Sequence, residues 1–99
     1  MPGSGEDTKE LVLEDLDIGA GDQAELIIFN DEVNTFDWVI KSLVEVCSHS
    51  FEQAEQLALI AHFKGKATVK TDDWSVVKPM KDSLVERGLS AEVKRLQDS

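Results

Sequence analysis

Between Ala24 and Asn30 the chain reads AELIIFN, a compact apolar run rich in β-branched and aromatic residues and bounded by polar ones. A run of this kind predicts a strand about six residues long. The spacing then becomes helical. Phe36, Val39, Ile40, Leu43 and Cys47 fall along one helix face, with Asn34 as the N-cap and Asp37 three residues later as a variant of the capping box. Ser48, His49 and Ser50 interrupt that period. Ser50 with Gln53 forms a second capping box, and Phe51, Ala54, Leu57, Ala58 and Ala61 make the buried stripe of a second helix, which Gly65 ends as a left-handed cap. KATVKT then alternates like a half-buried strand, and Asp72 or Asp73 caps a third helix reaching about Arg87, closed by Gly88. Pro79 lies inside that helix and removes a backbone hydrogen bond, which predicts a kink or a late start near Val77. LSAEVKR closes the chain as a strand with one wet face.

The order β-α-α-β-α-β, with short connections, predicts an α+β fold. It is a two-layer sandwich of a three-stranded, mostly antiparallel sheet and three helices packed on one face. At 99 residues the chain fits one domain. Residues 1–22 hold seven acids and one Lys, with Gly or Pro at both ends, and read as a flexible acidic arm ahead of a domain at residues 23–99.

Charge and cysteine usage narrow the function. Twenty acidic against ten basic residues give a formal net charge of −10, which argues against nucleic acid, whose phosphates need clustered Lys and Arg. No apolar run approaches the roughly 18 residues of a membrane span, and no leader opens the chain, so a cytoplasmic protein is the simplest expectation. Cys47, the single cysteine, falls on an apolar helix face and reads as a core thiol. Two His without a third ligand at a fitting spacing make no zinc site, and the Gly65 segment lacks the upstream glycine of a phosphate loop. No cofactor is implied. Trp38 and Trp74 read as core or surface platforms.

The candidate chemistry lies at two seams. Asn30, Asp31 and Glu32 end the first strand, and His62 stands three residues before Gly65 at the end of the second helix. Together they suggest a pocket with an amide, a carboxylate and an imidazole on its rim and apolar walls, suited to a ligand with a cationic head and an apolar tail. Each residue also has a plainer reading. Asn30 and Asp31 are common turn formers, and a histidine at a helix end favours the dipole. Val39, Ala58 and Ala61 serve core packing as readily as a pocket wall.

The segment from about Glu25 to Gly65 resembles the ClpS family, adaptors of the ATP-dependent Clp proteases. The resemblance rests on Asn30-Asp31-Glu32 after the first strand, on the turn at Asn34 and Thr35, and on His62 and Gly65 within AHFKGKA. It implies an adaptor with no catalysis of its own. Such a protein binds the free N-terminal amine and large hydrophobic first residue of N-degron substrates and delivers them to a Clp AAA+ unfoldase of ClpA or ClpC type. Asn30, Asp31 and His62 would then accept the α-amine, and Asn34, Phe36, Val39, Ala58 and Ala61 would form the side-chain pocket. Phe36 stands where the family usually has Met, Ala58 where a bulkier residue is common, and Glu32 where Asp is usual. Beyond Ala67 the family pattern is missing. Two other readings remain: a domain of the same fold docking another partner, as in the ribosomal stalk protein, and a small enzyme pairing His62 with Asp31, for which the sequence offers no group to activate a substrate.

Overall fold

The computed structural model describes residues 22–96. The acidic arm therefore lies outside the described residues, apart from Asp22. The elements are β1 (Gln23–Phe29), α1 (Phe36–Cys47), α2 (Phe51–Lys64), β2 (Lys66–Asp73), α3 (Trp74–Glu86) and β3 (Ala91–Arg95). The strands form one antiparallel sheet in the order β2-β1-β3. The expected α+β order and the three-stranded sheet are those observed.

The first strand occupies the centre because it is the most apolar. Its alternate residues Ala24, Leu26 and Ile28 are buried in the core with Ile40, Leu43, Ala54, Ala58, Val77 and Leu84 from the three helices. Ile27 is also buried, but stands apart from that cluster. Leu26 pairs with Lys70 and Ile27 with Thr68, so Val69 is an extra residue that bulges β2. His49 Nε2 donates to the Val69 carbonyl at 2.6 Å, which occupies a polar group at the bulge of this edge strand.

The helix ends differ from expectation in instructive ways. Thr35, not Asn34, is the N-cap of α1, its hydroxyl accepting from the Trp38 amide at 3.1 Å. The Ser50–Gln53 capping box forms as expected, and Gly65 ends α2 with φ 96°, a conformation in which any side chain is strained. Phe51, expected in the buried stripe of α2, is 57% exposed; it is the first helical residue, and the buried positions of the helix are Ala54, Ala58 and Ala61. Asp73 occupies the N-cap position of α3 but makes no capping bond; its carboxylate accepts from Gln23 Nε2 at 2.7 Å instead. The late start near Val77 does not occur. The helix begins at Trp74, whose amide donates to the Asp22 carbonyl, and it runs through Pro79. The final strand begins at Ala91, two residues later than the alternation suggested, since Leu89 belongs to the turn out of α3.

Cys47 is buried, and burial pushes its thiol up to about 11, with Lys70 nearby partly opposing that shift. Alkylation at pH 8 is therefore expected to be slow in the native protein and fast in denaturant. Native labelling as quick as unfolded labelling would contradict the packing. Both tryptophans hold Arg side chains: Arg87 lies 5.5 Å from the Trp38 ring and Arg95 4.7 Å from the Trp74 ring. Trp38 Nε1 also donates to the Arg87 carbonyl at 2.9 Å, which ties α1 to the end of α3. Arg87 approaches Glu45 at 2.8 Å, a close charge contact rather than an aligned hydrogen bond. No described helix is long and apolar enough to cross a membrane.

Candidate functional site

The chain leaves the central strand at Asn30 and crosses to α1 through a short loop held by side chains. Asp31 organises it. Its Oδ1 accepts from the amides of Val33 and Asn34, each at 3.0 Å, which closes a turn of the kind aspartate favours. Asn34 Nδ2 donates to both Asp31 oxygens at 3.2 Å and to the Gly88 carbonyl at 2.8 Å, and the Ser90 hydroxyl donates to Asp31 Oδ2 at 3.1 Å. Partial burial raises the Asp31 pKa. The bonds from the Asn34 and Val33 amides, with those from the Asn34 side chain and Ser90, outweigh it and hold the carboxyl below its ordinary 3.8. Asp31 is therefore a carboxylate whose lone pairs serve the loop.

The other seam is joined to this loop by the backbone. The Asn30 amide donates to the Gly65 carbonyl at 2.9 Å, and the Gly65 amide donates to Ala61, also at 2.9 Å. The left-handed turn at Gly65 thus ends α2 and anchors the first residue of the loop. His62, one turn back on α2, is carried to the same side of the molecule, with its ring edge-on to Phe63 at 4.9 Å.

Between the seams lies a cavity of about 550 Å³. Asn30, Asp31, Asn34, Phe36, Val39, Ala58, Ala61 and His62 all line it. Every site residue expected from the sequence therefore meets at one place, although Asn30 and His62 belong to different elements. The small side chains of Ala58 and Ala61 are buried on its α2 wall, while Phe36 is partly exposed at the start of α1. Asn34 lines the cavity but acts chiefly as a strut, since its amide hydrogens are directed to Asp31 and Gly88.

Five further lining residues were not assigned a site role from the sequence: Ile28, Phe29, Glu32, Leu59 and Leu89. Glu32 matters most chemically. It is exposed and, unlike Asp31, accepts no hydrogen bond among the described residues, so its negative charge is free to face a ligand. Its place directly after Asp31 was the available signal. Leu89 arrives from the α3–β3 turn, and no local pattern could have placed it there.

Chemically, the rim supplies an amide oxygen, the exposed Glu32 carboxylate and an imidazole above walls of aliphatic and aromatic carbon. Such a site can take a cationic group with several N–H donors joined to an apolar group.

Comparison with known proteins identifies the family and the fold. Residues 20–92 match the family described as ATP-dependent Clp protease adaptor protein ClpS. Among solved structures, Agrobacterium tumefaciens ClpS2 bound to L-phenylalaninamide is similar in fold, with a TM-score of 0.70 at 17% identity over 76% of this chain and 98% of that one. No curated protein matches the sequence. The family match spans well over half of the chain, includes both seams of the cavity and extends through most of the divergent last third, and the chain therefore belongs to the ClpS family of ATP-dependent Clp protease adaptors.

Proposed function

We propose that this adaptor binds proteins through a free N-terminal amine and a large hydrophobic first residue, and delivers them to the AAA+ unfoldase of a Clp protease. The observation that carries the reading is the meeting of Asn30, Glu32 and His62 on the rim of one apolar cavity. An α-ammonium offers three N–H donors and a positive charge at neutral pH, its pKa being about 7.7 to 8.0. The Asn30 side-chain oxygen and a ring nitrogen of His62 supply acceptors, and Glu32 supplies a carboxylate. Asp31, the acceptor expected from the sequence, contributes the field of its charge and the shape of the loop. The first side chain enters between Phe36, Val39, Ala58 and Ala61. The solved relative supports the chemistry, since L-phenylalaninamide combines a free α-amine with a phenyl side chain.

The test is a titration with peptides that differ only in the first residue. Phe, Leu, Trp and Tyr should bind, whereas Asp, Lys and Gly in that position should bind at least about tenfold more weakly, since burying a large apolar side chain is worth about 1.5–3 kcal/mol. An affinity indifferent to the first residue would remove the proposal.

A further inference from the structure

The recognition loop is stitched to a part of the fold more than fifty positions away in sequence. Asn34 Nδ2 reaches the Gly88 carbonyl at 2.8 Å, and Ser90 Oγ reaches Asp31 Oδ2 at 3.1 Å. The turn that supplies both partners is itself fixed. Gly88 has φ 92°, a conformation open to glycine, and a Cβ there would lie 3.6 Å from Asn34 Oδ1. The Ser90 carbonyl accepts from the Phe29 amide at 2.9 Å, and the Leu89 amide donates to Leu84 at 3.0 Å. The α3–β3 turn therefore sits on the last residue of β1 from one side, while Gly65 holds Asn30 from the other.

We infer that Ser90, acting with Asn34 through the Asp31 carboxylate, is a positioning residue for ligand binding. Ser90 does not line the cavity. Its hydroxyl and the Asn34 amide fix Asp31, Asp31 fixes the amides of Val33 and Asn34, and the turn so formed sets the direction in which Asn30 and Glu32 face the ligand. A loop of five residues, 30–34, with three exposed side chains, has little apolar burial to order it, and hydrogen bonds to one carboxylate replace that burial. Binding to a pre-ordered rim avoids the entropy of ordering it, and the gain appears mainly as slower dissociation. The inference rests on the proposed N-terminal recognition, and its experiment separates the two.

The test uses the full chain and its Ser90→Ala and Ser90→Thr variants. Amide exchange is read at Val33 and Asn34, and association and dissociation are followed with a free-amine peptide beginning with Phe. Ser90→Ala should speed exchange at both amides about fivefold and speed peptide dissociation by a similar factor, with association little changed; the lost hydrogen bond is of the order that gives such factors. Ser90→Thr, which keeps the hydroxyl, should restore both rates. Faster dissociation without faster exchange would overturn the inference, and so would faster exchange with unchanged dissociation. If the parent protein binds no free-amine peptide, the proposed function fails and the positioning role fails with it. The exchange rates then still show whether Ser90 orders the loop.

Discussion

A peptide that begins with Phe and a free amine is expected to bind at least about a hundredfold more tightly than its acetylated form. Acetylation removes the positive charge, cuts three donors to one, and adds a carbonyl and a methyl group where the rim is most polar. Asn30, Glu32 and His62 would then be covered without partners. Each buried, unsatisfied polar group costs about 1–3 kcal/mol, and a charged one more, so a loss of about 3 kcal/mol is a conservative sum. Calorimetry at fixed pH and salt checks this. Equal affinity for the two peptides would mean that the rim does not read the amine.

The second large effect concerns Asp31. Replacing it with Ala removes the acceptor of four donors at once, the amides of Val33 and Asn34, the Asn34 side chain and the Ser90 hydroxyl. Asp31→Ala is expected to cost about 1–3 kcal/mol of stability, because the donors are partly open to water and recover some bonding there. Free-amine peptide affinity should fall more than tenfold, although the carboxylate's lone pairs are already engaged within the loop. The same group gives a pH dependence of defined sign. Its folded pKa lies below the ordinary 3.8, so its contribution is fully present above that value and is lost as pH falls through it to the lowered folded pKa. Denaturant midpoints measured from pH 6 down to pH 2 should drop more for the parent than for Asp31→Ala. Parallel curves would show that Asp31 does not stabilise the fold as its bonds suggest.

Most of the fold was legible because each element carries a distinct local signal. The apolar run at β1, the helical spacing of Ile40, Leu43 and Cys47, the Ser50–Gln53 box and the glycine at position 65 all act within a few residues of one another. The errors arise where tertiary partners override local preference. Asp73 looks like a cap but serves Gln23, a residue fifty positions away, and Asn34 looks like a cap but is drawn to Gly88. Pro79 suggested an interrupted α3, yet the helix starts at Trp74 because its first amide is held by the Asp22 carbonyl. At the site the sequence indicated which residues meet, since strand end and helix end are recognisable. It could not reveal how their hydrogen-bonding capacity is spent. Only the geometry separates Asp31, occupied by its own loop, from Glu32, whose exposed carboxylate accepts no bond among the described residues, and only the geometry adds Leu89 and Ser90.

The most direct measurement is a backbone amide and methyl shift map of the labelled protein, titrated with a free-amine peptide beginning with Phe. The largest perturbations are expected at Asn30, Glu32, Val39, Ala58, Ala61 and His62, with Glu45 and Met80, on the far α1–α3 side that shares no residue with the cavity lining, unmoved. Saturable shifts confined to that far side, with the cavity residues silent, would contradict it.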